Sequence, residues 1–163
     1  MRLSAFINEN LVIKDLIAAG IKFEKTDFSN RHLYGCNFKE ASFHKCSFTG
    51  FKSRMSFFDF AEFVNCDFSK SDIQFLSFAG ASFNKCTFEG TEIVHVNFEG
   101  TSIKGTSFNN SNLYNSRFVS ADIVKTSFIN CNLKRVFFAS AKQKDVIFKS
   151  SNTAEAMFEM EER

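Results

Sequence analysis

A large apolar residue returns at every fifth position through most of the chain. From Phe23 to Phe158 this series has 28 positions, of which eighteen are Phe, three are Leu and four are Ile. The register never slips, and only Ser53, Gln143 and Thr153 interrupt the series. A period of five fits neither the 3.6-residue turn of a helix nor the two-residue alternation of a strand. The chain must therefore turn once in each repeat and send the same position inward each time, as a solenoid does.

Two further positions of the five-residue repeat have a restricted composition. The position two residues before each centre is mostly Ala, Ser, Thr, Cys or Val, and it holds all five cysteines: Cys36, Cys46, Cys66, Cys86 and Cys131. All seven glycines lie two residues after a centre. Because glycine tolerates positive φ, that position is predicted to be the corner of the coil. The cysteines are expected to be free and buried, since an odd number argues against a closed disulfide framework.

The identity of the central residue shows how many repeats make one coil. Alternate centres are all Phe, whereas the other half has Phe only at four positions that lie 20 residues apart. Four distinct columns predict four pentapeptides per coil, so residues 21–150 make about 6.5 coils of an all-β solenoid. Stacked rings are expected to form the structural core: Phe28, Phe38, Phe48, Phe58, Phe68, Phe78, Phe88, Phe98, Phe108, Phe118, Phe128, Phe138 and Phe148.

Individual repeats resemble the A(D/N)LXX unit of pentapeptide repeat proteins. Examples are Cys66-Asp67-Phe68-Ser69-Lys70, Ala81-Ser82-Phe83-Asn84-Lys85 and Ser111-Asn112-Leu113-Tyr114-Asn115. The resemblance covers roughly residues 21–150. It implies a right-handed quadrilateral β-helix.

The two ends of the repeat region need protection, because an open coil exposes unpaired strand edges. Residues 1–20 are predicted to be an N-terminal cap, with a short helix over residues 10–19, Asn8 as its N-cap and Gly20 as its stop. Residues 151–163 are predicted to be a C-terminal cap or tail. There the pattern leaves two alternatives: a helix from Ala154 to Arg163 behind a capping-box-like Asn152, or a last strand that keeps Phe158 in its column.

The sequence offers no catalytic, cofactor-binding or metal-binding motif. His32, His44 and His95 fall at outward positions on different coils, and the cysteines at positions 46, 66 and 86 form a linear row that cannot converge on one metal ion. No stretch approaches the ~20 apolar residues of a membrane helix, and no signal-peptide core is present. The chain is therefore expected to be a cytoplasmic protein without enzymatic activity, cofactor or membrane partner.

Three functions remain to be compared. The favoured hypothesis is a rigid scaffold that binds a protein partner or a second copy of itself. The resemblance also implies a DNA mimic that modulates or protects DNA gyrase, but the net charge of +2 and the lack of an acidic face argue against it. A basic face centred on Phe23 could bind an anionic partner, yet it lacks Arg and aromatic residues, so nucleic acid is not the expected ligand.

The most irregular decapeptide, residues 51–60, suggests where a partner would bind. Phe51 stands in a small-residue position and Ser53 at a centre, which predicts an exchange of volume inside one coil. Phe57 and Phe60 fall at outward positions. With Phe75 on the next coil and Phe137 farther along the same side, they are the candidate partner-binding residues. The alternative is that these rings pack over one another or under the N-terminal segment.

Overall fold

The computed structural model describes residues 3–159 and shows a β-solenoid of about 7 turns. The described chain begins with the helix α1 (Leu3–Glu9), and a short 3₁₀ helix lies near its other end, at Thr153–Glu155. Between them lie β1 (Val12–Lys14), β2 (Lys22–Glu24), β3 (His32–Tyr34), β4 (Ser42–His44), β5 (Lys52–Arg54), β6 (Glu62–Val64), β7 (Asp72–Gln74), β8 (Ser82–Asn84), β9 (Glu92–Val94), β10 (Ser102–Lys104), β11 (Asp122–Val124) and β12 (Lys142–Lys144). In this part of the chain, no helix has the length and apolar content needed to cross a bilayer.

Each strand pairs in parallel with a strand of the next coil. Residue Ile13 pairs with Leu33, for example, and Phe43 pairs with Phe63. The odd strands β1 to β9 form one five-stranded sheet, and β2, β4, β6, β8, β10, β11 and β12 form a seven-stranded sheet. The two remaining sides of the coil are joined by isolated parallel bridges, such as Phe57 with Ser77. The prediction of four pentapeptides per coil is therefore confirmed.

We number the coils from residue 11 in steps of twenty, so that coil 3 is residues 51–70 and coil 4 is residues 71–90. The four sides are named after one central residue each. The Leu33 face carries the five-stranded sheet and the Phe23 face carries the seven-stranded sheet. The Phe58 face and the Phe28 face lie between them, opposite one another.

Stacked phenylalanine rings fill the interior of the coils. Phe48 stacks on Phe28 with the ring centroids 4.7 Å apart, and Phe68 continues the column at 4.4 Å from Phe48. Rings from opposite sides meet edge to face, as Phe98 and Phe108 do at 5.9 Å. Twelve of the thirteen predicted core phenylalanines are buried. The exception is Phe148, which is half-buried because it lies in the last complete coil.

The irregular residues of coil 3 exchange volume as expected. Phe51 and Ser53 are both 0% exposed, and the Phe51 ring lies edge-on to Phe48 with a centroid separation of 5.3 Å. The exchange leaves one buried polar group unsatisfied, because the Ser53 hydroxyl has no hydrogen-bond partner among the described residues. A ring in the small position thus occupies the space that a small central side chain leaves free.

The N-terminal helix lies earlier in the chain than the sequence suggested. Residues 10–19 were predicted to be helical, but they already form coil 1, with β1 paired to β3. The five-residue register accounts for this, because Ile13 and Ala18 occupy central positions and are buried. The helix is α1 instead, so Asn8 lies inside it and is not its N-cap. Gly20 is a corner residue with φ of 71°, not a helix stop.

Helix α1 is tied to coil 2 by one arginine. The Arg31 guanidinium donates hydrogen bonds to the carbonyl oxygens of Ile7 at 2.8 Å and Asn8 at 2.7 Å. These carbonyls lie in the last turn of the helix, where no further turn can accept from them. Ile7 is fully buried against the core. Arg31 stands two residues before the centre Leu33, a position that elsewhere mostly holds a small residue. Its hydrogen bonds to the helix explain why a large residue is found there.

At the C-terminal end, the described residues favour the strand-like alternative over a helix from Ala154. Met157 bridges to Phe137, and the Phe158 ring stacks on Phe138 at 5.0 Å. Asn152 makes no side-chain cap on the 3₁₀ helix, because its Oδ1 accepts from the Leu133 backbone N–H at 2.6 Å. The rest of the predicted helix, residues 160–163, lies outside the described residues. The division of the chain at residues 20 and 150 stays a prediction, although the ladder itself extends from Val12 to Met157.

Candidate interaction surface

Every corner of the solenoid has a left-handed backbone. From Asp15 to Ser150, each residue two positions after a centre has a positive φ, and 21 of these residues are not glycine. Short polar residues tolerate this region best, and Asn or Ser stands at several corners. Three corners instead carry a large apolar side chain: Met55 (φ 54°), Phe60 (φ 58°) and Phe75 (φ 55°).

These three residues and Phe57 form one exposed patch on coils 3 and 4. The exposed fractions are 63% for Met55, 46% for Phe57, 68% for Phe60 and 53% for Phe75. Met55 and Phe75 lie one above the other at the edge where the Leu33 face meets the Phe58 face. Phe57 lies on the Phe58 face, and Phe60 lies at its far edge. We call these four residues the aromatic patch.

Each ring of the aromatic patch is held by a neighbour. The Phe60 ring lies over Gly80, where a Cβ would come within 2.5 Å of Phe60 Cε1, so a larger residue at that corner would displace the ring. The Phe75 ring stacks on the imidazole of His95 at 5.0 Å with an angle of 6° between the planes. The Lys39 ammonium lies 5.1 Å from the centroid of Phe57. The rings are therefore oriented from one side and open to solvent on the other.

Polar groups with their own partners lie around the patch. Asp59 lies between Phe57 and Phe60 along the chain, and its Oδ1 accepts from the Ser77 hydroxyl at 2.6 Å. Its Oδ2 is covered and has no partner among the described residues. On the Leu33 face beside Met55, Arg54 forms an ion pair with Asp72 at 2.8 Å. Burial opposes ionisation of Asp72, but the hydrogen bonds from Arg54 and Gln74 outweigh it and lower the pKa of this carboxyl.

The structure brings together three of the four predicted partner-binding residues. Phe57, Phe60 and Phe75 are neighbours, whereas Phe137 lies four coils from Phe57, ~19 Å away. Phe137 is only half exposed, because the Arg117 guanidinium lies 5.5 Å over its ring. The sequence analysis did not single out Met55, although its corner position directly below Phe75 could have indicated it. Whether any of these residues binds a partner stays a prediction.

The Phe23 face carries the largest concentration of positive charge. Eight lysines stand against four acidic residues, a net charge of +4: Lys22, Lys25, Lys45, Lys85, Lys104, Lys125, Lys142 and Lys144 against Glu24, Glu62, Asp122 and Asp145. The ion pairs within residues 3–159 are His44–Glu62, Arg54–Asp72 and Arg117–Glu99, so none of these lysines is paired. The Phe28 face and the Phe58 face are weakly acidic, with net charges of −1 and −2.

The remaining chemically active side chains are dispersed or buried. His44 pairs with Glu62, while His95 contacts Phe75 and its Nδ1 accepts a hydrogen bond from Asn115 Nδ2 at 2.6 Å. All five cysteines are buried and free. Burial raises the pKa of Cys36 and Cys131, and a thiol hydrogen bond with Cys66, together with burial, raises that of Cys46. Among residues 3–159, no group of His, Cys, Asp and Glu has the arrangement of a metal site.

Comparisons with known proteins give one family and several solved structures. Among the solved structures, the chain is 10% identical to Rfr23 from the cyanobacterium Cyanothece 51142, with 90% of each chain covered and a TM-score of 0.48. It is 12% identical to HetL from Nostoc sp. strain PCC 7120, a protein involved in heterocyst differentiation regulation, covering 96% of this chain and 95% of HetL with a TM-score of 0.39. For full-length QnrB1, a plasmid-mediated fluoroquinolone resistance protein, the identity is 13%, the coverage 86% and 92%, and the TM-score 0.41.

No curated protein matches the sequence. The family model for pentapeptide repeats matches in eight copies, over residues 19–51, 61–100 and 97–135. These segments cover more than half of the chain, and they agree with the twenty-residue coil seen in the structure. The chain belongs to the pentapeptide repeat family.

Proposed function

We propose that this protein is a rigid binding module, not an enzyme, and that its aromatic patch holds a protein partner. The observation that carries the proposal is the placement of Met55, Phe60 and Phe75 at left-handed corners. A residue other than glycine in this region costs ~1–2 kcal/mol. Large apolar side chains gain little in return there, since more than half of each remains exposed. Every corner shares this backbone, so the feature that marks these three corners as candidates for a functional site is their large exposed apolar side chains.

The fold itself accepts small polar residues at the same positions. Ser77 follows Phe57 in its column one coil later, and Ser120 and Ser140 stand in the column of Phe60. Both serine corners adopt the same left-handed backbone, with φ of 57° and 58°. Packing of the coil therefore does not explain the rings. Exposed aromatic residues grouped on a rigid face are typical of the anchors that carry much of the energy of a protein interface.

We also propose that the protein acts in the cytoplasm. Five buried thiols without a disulfide suit a reducing compartment.

Replacing both Phe57 and Phe60 by serine should abolish partner binding and leave the fold intact. The immobilised variant and wild type are incubated with extract of the source cell, and the retained proteins are identified by mass spectrometry. The matched control is Asp67→Ser/Lys70→Ser, which changes the equivalent positions of the opposite Phe28 face to a residue also present in those columns, at Ser127 and Ser150. We expect wild type and control to retain a protein that the Phe57→Ser/Phe60→Ser variant loses. Equal retention by all three proteins would contradict the proposal.

A DNA-mimicking effect on gyrase is not expected. Such a mimic needs an extended anionic surface, and the acidic sides of this chain carry net charges of only −1 and −2. In a supercoiling assay with purified gyrase, the protein should neither inhibit the reaction nor relieve its inhibition by a quinolone. Inhibition or relief at low protein concentration would contradict the conclusion, drawn from the surface charge, that the protein is not a DNA mimic.

A further inference from the structure

We infer that the partner of the aromatic patch is a second copy of this chain, which binds antiparallel with the two Phe58 faces in contact. This inference rests on the proposed function, because it uses the same patch. It follows from the register of the solenoid. Outward positions on the Phe58 face recur every 20 residues, so the side chains form a grid whose rows are the coils.

The two copies are related by a twofold axis that lies in the plane of contact. The axis runs parallel to the rows of the grid, between coils 3 and 4. Coil 3 of one copy then faces coil 4 of the other, coil 2 faces coil 5, and coil 1 faces coil 6. Each outward residue meets the residue of the same column in the facing coil. This pairing is isologous, so every contact occurs twice.

The facing coils are complementary in shape. Phe57 lies opposite Ser77 of the second copy, so a large side chain meets a small one. Met55 lies opposite Phe75 of the second copy, which covers two exposed apolar corners with each other. The Phe60 ring already leans over Gly80 towards the axis, so the two Phe60 rings meet there. All four residues of the aromatic patch are covered in this arrangement.

The facing coils are also complementary in charge. Lys39 in coil 2 lies opposite Glu99 of the second copy in coil 5, and both side chains are exposed. Farther out, Ala19 lies opposite Val119 of the second copy. If the axis were shifted by half a coil spacing, onto coil 4, coil 3 would face coil 5 and Asp59 would lie against Glu99 of the second copy. A parallel arrangement would place Phe57 over Asp59 and bury a carboxylate. The pairing between coils 3 and 4 avoids both penalties.

The size of the contact indicates a reversible dimer. From coil 1 to coil 6 the face extends for five coil spacings of ~4.8 Å, and its width is five residues of ~3.3 Å, which gives about 400 Å² for each copy as a flat area. A stable complex typically buries about 800 Å² for each partner. We therefore expect association to depend on protein concentration.

Cross-linking tests the register. One preparation carries Asn37→Cys and another carries Asn97→Cys; these positions face each other across the antiparallel interface. A short bismaleimide reaches the ~10 Å between packed sheet faces. The mixture of the two variants should give a cross-linked dimer, whereas Asn37→Cys alone should give none, because its two thiols lie three coils apart along the interface. A dimer from Asn37→Cys alone would establish a parallel pairing and overturn the inference.

Charge reversal provides a second test with its own control. Lys39→Glu and Glu99→Lys should each weaken association about tenfold in sedimentation equilibrium, because each places like charges together twice. The double variant restores opposite charges and should recover the wild-type association. Within one chain the two residues are three coils apart, so recovery requires a second copy. Failure of the double variant to recover would contradict the proposed register.

The outcomes separate this inference from the proposed function. If wild type remains monomeric at all concentrations while the Phe57→Ser/Phe60→Ser variant still loses a captured protein, the second copy is excluded and the binding module stands. If wild type dimerises and the Phe57→Ser/Phe60→Ser variant dimerises equally well, the aromatic patch is not the dimer interface and this inference fails, whereas the proposed function fails only if the variant also retains every protein that wild type captures.

Discussion

Replacing Phe68 by alanine is expected to lower the free energy of unfolding by ~3–5 kcal/mol. The side chain is fully buried, and its ring stacks between Phe48 at 4.4 Å and Phe88 at 4.5 Å. Phe63 also meets it edge-on at 5.3 Å. Removing the ring creates a cavity that the neighbours cannot fill, because the backbone ladder of both adjacent coils fixes their positions. Equilibrium unfolding in urea measures the loss.

Phe158→Ala provides the matched control at the end of the same rod. That ring is only half-buried and has a stacking partner on one side, Phe138 at 5.0 Å. Its loss should therefore cost clearly less than that of Phe68. Equal costs at the two positions, or a loss below about 1 kcal/mol for Phe68, would contradict the view that stacked rings dominate the stability.

The five cysteines should react with a thiol reagent at least about a thousandfold more slowly in the native protein than in denaturant. All five are buried, so the reagent reaches them only when the coil opens, and such opening is rare in a stable solenoid. The reaction is followed by absorbance and by mass spectrometry of the labelled peptides. Rapid native labelling of Cys46, Cys66 or Cys86 would overturn their inward placement and with it the register of the repeat.

Three of these thiols make the stability depend on pH in the alkaline range. The native state holds the pKa of Cys36, Cys46 and Cys131 above its ordinary value, whereas the unfolded chain ionises its thiols near pH 8.5. Above that pH the native state binds more protons than the unfolded state, so the free energy of unfolding falls as the pH rises. Each such thiol contributes a slope of about 1.4 kcal/mol per pH unit.

Most of the fold could be predicted because one period determines it. A five-residue repeat with four distinct central columns leaves only the four-sided coil, and the parallel pairing of residues 20 apart follows from it. The N-terminal helix was misplaced because residues 10–19 fit two patterns. Ile13, Leu16 and Ile17 satisfy the three- and four-residue spacing of a helix face, but Ile13 and Ala18 satisfy the five-residue register. The pairing of β1 with β3 decides between the two patterns. That pairing is a long-range contribution that a local pattern does not contain.

The candidate site was predictable in position but not in detail. Outward placement of Phe57, Phe60 and Phe75 follows from the register alone. The left-handed backbone of the corner could be foreseen from the glycines, so the strain at Met55 was also within reach of the sequence. The direction of the rings was not, because it depends on rotamers chosen by contacts with the next coil. Phe60 leans over Gly80 and Phe75 stacks on His95 for that reason.

The most direct test of the central claim is to measure stability and association on the same sample of the Phe57→Ser/Phe60→Ser variant. The claim is that the aromatic patch serves binding and is not required by the fold. Urea unfolding should give a free energy close to that of wild type, far from the loss expected for Phe68→Ala, while sedimentation shows that association is lost. A variant that unfolds as readily as Phe68→Ala, or that associates as wild type does, would contradict the claim.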